Sequence, residues 1–394
     1  MRKLCITLIY LFVISIGFTV NGVAQPTAKR VLPYAYYVPG VAIQVEIHVV
    51  GSTESTSVEV VETPPLGWTT RARDGGQVNE GVITWELSDL AATRILHFTV
   101  TPPRDAAEEV FFAGQINGVE ISGSNRLLPV QPIYNIPYKS GETLTDYEKS
   151  RCKLDLYVPS GAPGFATMVF FHGGGLTGES KDGQYAQIKI FSAYGIAVVN
   201  VNYRLSPTVS FPAYIEDAAA SVAWTYSHIE EYGGNPNRIF ISGHSSGGYL
   251  TAMLGMDSHY LIDAGVSFDQ IAGFIPISGE MYTHFTVLRE RGLSGVMSVI
   301  DEAAPIYYAR ADTPAFLNIC GGNDLPGYAD QNRDFTATLK AAGNTRAEYL
   351  EFEGRTHGSI VGEIPTNPND AVAQTMLSFI RGAWAASVNG WMPY

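Results

Sequence analysis

RIFISGHSSGGYL, residues 238–250, sets two kinds of backbone on either side of one serine. Ile239 to Ile241 are strand formers, and Leu250, Met253 and Leu254 follow at helical spacing. Between them lies Gly243-His244-Ser245-Ser246-Gly247, a G-x-S-x-G pattern at a strand-to-helix turn. Gly243 and Gly247 give a sharp turn the room that a side chain would deny it. The hydroxyl of Ser245 then projects above the sheet, and the helix N-terminus behind it favours developing negative charge. Glycine and serine are common in loops, so the pentapeptide alone leaves a plain connecting turn open.

A second signal precedes it. His172-Gly173-Gly174-Gly175 follows the apolar strand TMVFF directly. Three glycines bare their amide N–H groups, which suits a loop that must hold a carbonyl oxygen as it turns negative. A serine hydroxyl also needs a base to take its proton and a carboxylate to hold that base. Downstream of Ser245, His259 lies just past the next helix, and His284 lies between two strands. His357, in EGRTHGS, follows the last strand, where a loop can bring it over the sheet edge. Asp324 stands just past the strand AFLNI, whereas its rivals Asp330 and Asp334 belong to the following helix. The order Ser245, Asp324, His357 is serine, acid, histidine.

Working outward, the chain has two unlike halves. Residues 26–128 read as short strands broken by Pro and Gly. In VAIQVEIHVV, Val41, Ile43, Val45, Ile47 and Val49 share one face, with Gln44, Glu46 and His48 on the other. This pattern predicts a small all-β sandwich resembling the immunoglobulin-like modules of exported bacterial proteins. Trp68 and Trp85 are either its core or a sugar-stacking platform. Residues 133–385 alternate strand and helix, and the apolar strands ATMVFFHGGG and GIAVVNVNYR fit a parallel sheet covered on both faces.

The first 24 residues combine Arg2 and Lys3, an apolar segment Leu4–Phe18 and small residues Gly22-Val23-Ala24. That is the pattern of a secretory leader cleaved after Ala24, too short for a spanning helix, so no membrane anchor is expected after cleavage. The 394 residues carry a formal net charge of −13, and there is no basic cluster. Nucleic acid is therefore excluded as a partner. No His/Cys spacing suggests a metal, no cofactor is implied, and the sequence is silent on oligomeric state.

The motifs HGGG, VNYRLSP, FPAYIEDAAASVAW, NPNRIFISGHSSGGYL, APIYYARADTPAFLNICGGND and GRTHG together resemble the α/β-hydrolase superfamily. They are most similar to its secreted carboxylesterase and feruloyl-esterase-like branch, related to the hormone-sensitive-lipase group. The chain departs from that group in having GHSSGG where GDSAGG is usual, and a β-like module in place of a long N-terminal cap. The resemblance implies a mostly parallel eight-stranded sheet in the order 1-2-4-3-5-6-7-8 with flanking helices. It implies Ser245 as nucleophile, His357 as base and Asp324 as acid, with the amides of Gly174, Gly175 and Ser246 forming the oxyanion hole. On that sheet Cys152 and Cys320 lie far apart, which argues for two buried thiols. Arg204 and Asp217 are expected as a structural ion pair, and His172 and His244 as scaffolding. Residues 281–313 are expected to form a small lid, with Met281, Phe285, Leu288 and Met297 lining a pocket or the lid's own core.

The implied reaction is acyl transfer to water from short-acyl or aryl esters, of acetyl or feruloyl type, either small molecules or groups on extracellular polysaccharide. Two other readings stay open. One is an exported serine peptidase or arylformamidase-like amide hydrolase. The other is a non-catalytic binding protein on a hydrolase scaffold.

Overall fold

The structure is a computed structural model that describes residues 25–388 apart from 52–56, 89, 91–92 and 162. The leader expected at residues 1–24 lies outside the described residues. The chain divides into two compact units. One comprises Met1–Pro33, Ala42–Arg104 and Val110–Arg126, and the other Tyr34–Val41, Asp105–Glu109 and Leu127–Tyr394.

The first unit holds two five-stranded sheets. In Ile43–Val50 the side chains of Ile43, Val45, Ile47 and Val49 are buried and Gln44 is exposed, as a period of two dictates. This strand pairs antiparallel with Thr93–Thr101. The sheets face each other through Trp85 of one and Phe98 of the other, whose ring centroids are 6.1 Å apart. Arg30 and Glu62 bridge them with paired bonds of 2.6 and 2.7 Å, both side chains buried. Trp85 is fully buried, and its indole N–H donates to Arg73 O at 2.9 Å. Trp68 is buried edge-on against Phe112. The sugar-platform reading of these tryptophans therefore fails: neither ring presents a face to solvent, because their apolar area fills the space between the sheets.

The second unit is built on strands β1 (Arg126–Pro137), β2 (Lys153–Pro159), β3 (Phe165–Phe171), β4 (Ala197–Val201), β5 (Gly234–His244), β6 (Ile271–Ile277), β7 (Ala315–Asn323) and β8 (Ala347–Thr356). Their order in the sheet is β1-β2-β4-β3-β5-β6-β7-β8. β2 runs antiparallel to β1 and β4, and every pairing from β4 to β8 is parallel. The sheet goes further than the eight strands expected. Tyr36–Tyr37 pairs in parallel with β1, covering N–H and C=O groups that an edge strand leaves bare. All of β3 is buried, since helices cover both faces of a parallel sheet.

The helices are α1 (Asp146–Arg151), α2 (Ala213–His228), α3 (Ser246–Met256), α4 (His259–Asp263), α5 (Phe285–Glu290), α6 (Tyr328–Ala341), α7 (Ser359–Gly362) and α8 (Ala371–Val388). α2 buries Ile215, Ala218, Ala219 and Val222 on one stripe, and every residue of α3 is buried. Residues 281–313 carry only α5 and a short 3₁₀ turn, Pro305–Tyr308. Met281 and Leu288 are core side chains, whereas Met297 is 48% exposed. A sequence without helical period after Arg291 gave no means of telling which methionine faces inward. Cys152 and Cys320 are both buried free thiols. Among the described residues no helix is long and apolar enough to cross a membrane.

Candidate active site

β5 delivers Ser245 at its carboxyl end. The residue adopts φ 57° and ψ −121°, a sparsely populated region for any residue with a side chain. Its own N–H is anchored to Ile277 O of β6 at 2.9 Å, and α3 starts at the next residue. The turn is tight enough that a Cβ on Gly247 would lie 2.0 Å from Phe171 O. Only hydrogen fits there.

Three distant side chains meet at this corner. His357 Nε2 lies 2.9 Å from Ser245 Oγ, and His357 Nδ1 lies 2.6 Å from Asp324 Oδ1. Because Asp324 accepts at Nδ1–H, Nε2 is left with a lone pair toward the hydroxyl. Burial raises the affinity of Asp324 for a proton, but hydrogen bonds from His357, Ser278 and the Leu325 amide outweigh it and hold the pKa at about 2. The carboxylate is thus ionised at neutral pH and able to stabilise an imidazolium. Its second oxygen accepts from Ser278 Oγ at 2.5 Å and faces Cys320 Sγ at 3.4 Å. The rivals are elsewhere. His259 pairs with Asp257, and His284 starts α5. Asp330 and Asp334 lie in α6, bonded to Arg333 and Tyr282.

The glycine loop is aimed one peptide at a time. In a trans peptide the N–H points opposite the carbonyl. Gly173 O accepts from His172 Nδ1 at 2.7 Å, which turns the Gly174 N–H the other way. Gly174 O accepts from the amides of Thr177 and Gly178, both at 3.1 Å, which does the same for the Gly175 N–H. Gly174 and Gly175 hold φ of 107° and 63°, which a side chain would resist. The third amide, of Ser246, opens α3 and has no carbonyl a turn earlier in the helix to bond.

His172 is fixed on all sides. Arg151 donates to its Nε2 at 3.1 Å, Tyr203 stacks on its ring at 4.4 Å, and burial holds its pKa at about 3, so it is neutral. His244 is likewise buried and neutral, its pKa also about 3. Its Nδ1 lies 2.9 Å from Tyr185 OH, and its ring lies 4.6 Å from that of His357. Arg204 grips Asp217 through Nε and Nη2 at 2.8 Å each, and Lys139 bonds the same carboxylate. Beside His357 opens a cavity of about 150 Å³ lined by Phe170, Tyr185, Ile188, Val361 and Ile364. Among the described residues no group of three or more His, Cys, Asp or Glu is arranged for a metal ion.

Several partners had no sequence signal. Ser278 reaches Asp324 because it sits at φ 48° just past β6. Arg151, in α1, donates to Tyr203 O and Glu179 O as well as to His172. Tyr185 sits in the 3₁₀ segment Gln184–Tyr194 that crosses from β3 to β4. Only the positive φ of Ser278, had the SG pair after β6 been read as a turn, was open to inference.

The BD-FAE family matches residues 154–273. Esterase LipC of Mycobacterium tuberculosis is 27% identical over 210 residues, covering 48% of this chain and 52% of that protein. The isoprenylcysteine alpha-carbonyl methylesterase ICME of Arabidopsis thaliana is 26% identical over 242 residues, 55% of this chain and 56% of that one. The chain spans about half the length of these curated relatives. Among solved structures, a truncated carbohydrate esterase from gut microbiota shares the fold with a TM-score of 0.52 at 19% identity, covering 65% of this chain and 96% of that one. An esterase of Pyrobaculum calidifontis does so at 0.50 and 22%, covering 64% and 85%. Strand order, the turn that carries Ser245 and the likeness to these structures give the chain an α/β-hydrolase fold, and over about half its length its sequence is similar to those of esterases.

Proposed function

We propose that the protein is an exported serine carboxylic-ester hydrolase acting on short-acyl or aryl esters. The observation that carries this is the bond of 2.9 Å from Ser245 Oγ to His357 Nε2, backed by 2.6 Å to Asp324. In this reading the Ser245 hydroxyl attacks the ester carbonyl while His357 Nε2 takes its proton. Asp324 fixes the tautomer and stabilises the imidazolium, without itself taking the proton. The amides of Gly174, Gly175 and Ser246 hold the negative oxygen of the tetrahedral intermediate. His357 then protonates the departing alcohol, leaving an acyl-Ser245 ester. Water, deprotonated by His357, cleaves that ester and restores the serine.

The cavity beside His357 supports small substituents, since about 150 Å³ holds roughly one ring of benzene size. Export rests on the leader pattern of residues 1–24, the first unit is proposed as an immunoglobulin-like module, and acetyl or feruloyl groups on extracellular polysaccharide are proposed as one source of such esters. The test is a panel of nitrophenyl acetate, methyl ferulate, acetylated xylan and matched anilides, run with the parent and with Ser245→Ala. Turnover of the short and aryl esters that is lost in the variant is expected. Faster cleavage of the anilides, or turnover that survives Ser245→Ala, sinks the reading.

A further inference from the structure

The loop bearing Gly174 and Gly175 is braced from outside by α5. Thr286 Oγ1 donates to Gly175 O at 2.6 Å. The Phe285 ring lies so close that a Cβ on Gly175 would come within 2.8 Å of it. Yet α5 has only six residues, and so short a helix does not hold itself in water.

Its anchor is a buried acid–imidazole pair. His284 caps α5, its Nδ1 accepting the Thr286 N–H at 3.1 Å. With Nδ1 occupied as an acceptor, the neutral ring carries its proton on Nε2, and that atom lies 3.0 Å from Glu280 Oε2. Burial keeps His284 neutral, with a pKa of about 3. The Phe285 backbone amide acts on the same Glu280 carboxyl, favouring its ionised form against the effect of burial. The side chains of His284 and Glu280 are 1% and 12% exposed. The Nε2 contact is off-axis, so Oε2 has no well-aligned hydrogen bond, and a buried acceptor in that condition calls for an explanation. The groups whose charge bears on this carboxyl are His284 and Arg289 of the α5 segment, Tyr249 of α3 and Tyr328 of α6.

We propose that Glu280 and His284 are positioning residues that set the oxyanion-binding loop through α5; this rests on the ester-hydrolase reading. Neither touches the reacting atoms. They fix the first turn of α5, the turn fixes Thr286 and Phe285, and these fix the Gly175 peptide. Burial pushes the Glu280 pKa up to about 7. Ionisation in the neutral range strengthens the attraction between the carboxylate and the Phe285 and His284 N–H groups beside it, and so tightens the brace. The same burial makes the ionised form costly to the fold. Its contribution to stability is present below the ordinary carboxyl pKa of 4.5 and is lost as pH rises through about 7.

The test uses Glu280→Gln, Thr286→Val and the double variant of the full chain. It measures turnover of a short nitrophenyl ester and inhibition by a trifluoromethyl ketone, which forms a tetrahedral adduct. Each single change is expected to lower kcat about tenfold with KM within about twofold, because misplacing the loop costs the transition state alone. Ketone inhibition should weaken by the same factor. The double variant should lose no more than the worse single, since both act along one chain of contacts. The parent-to-Gln ratio in kcat should grow as pH rises through about 7, while at about pH 8 the Gln variant unfolds at no lower denaturant concentration than the parent. Unchanged kcat in either single variant, additive losses, or a loss that tracks only falling stability would overturn the inference. An inert parent sinks the hydrolase reading and this inference with it, whereas an active parent with unaltered variants sinks this inference alone.

Discussion

Ser245 is held in a backbone conformation, φ 57° and ψ −121°, that costs energy and gains nothing for packing. Strain of this kind is retained when it aims a side chain, and here it aims Oγ at His357. Replacing Ser245 by Ala should therefore lower kcat by a factor on the order of 10⁶ and leave the fold intact. Asp324→Asn keeps the shape but offers His357 an amide, which favours the wrong tautomer. Turnover should fall on the order of 10⁴-fold, read from kcat with the same ester. If Asp324→Asn retained a tenth of parental turnover, the carboxylate would not be the group that orients His357. Ser245, Asp324 and His357 were legible because each follows a strand in a recognisable order. Ser278 and Arg151 were not, because their contacts with Asp324 and His172 depend on a turn and on a helix whose placement is set by the rest of the fold.

At the scale of elements, the β5–α3 corner works because β3, β5 and α3 come within one hydrogen's radius of each other at Gly247. The obstacle is the backbone carbonyl of Phe171, which cannot swing aside like the end of a side chain. Gly247→Ala should cost at least about 3 kcal/mol, seen as a lower denaturant midpoint or as insoluble expression. Parental stability in that variant would show that the corner is looser than described. Strand identity was readable wherever a full period was present, as in Ile43–Val50 or the wholly apolar β3. The pairing of Tyr36–Tyr37 with β1 was not, since two residues are too few to show alternation. The role of α5 was hidden for a similar reason: a helix of six residues has little period, and its importance comes from what it touches.

Over the whole molecule, burial leaves three imidazoles neutral: His172, His244 and His284 have pKa values of about 3, against an ordinary value of 6.5. The unfolded chain binds protons in this range that the folded chain refuses. Stability that is fully present above about pH 6.5 is therefore lost as pH falls toward about 3. Denaturant midpoints should drop between about pH 7 and pH 5, and a flat profile would mean that these rings take protons without unfolding. Glu280 acts in the opposite sense between about pH 4.5 and 7, so it offsets part of that drop, and the midpoint should level off above about pH 7. The most direct test of the central claim is to mix the protein with nitrophenyl acetate, quench with acid during the first turnover, and map the acetylated peptide by mass spectrometry. We predict an acetyl group on Ser245 and on no other side chain. Hydrolysis at full rate with the acetyl group on another residue, or with no acyl-protein formed at all, would contradict it.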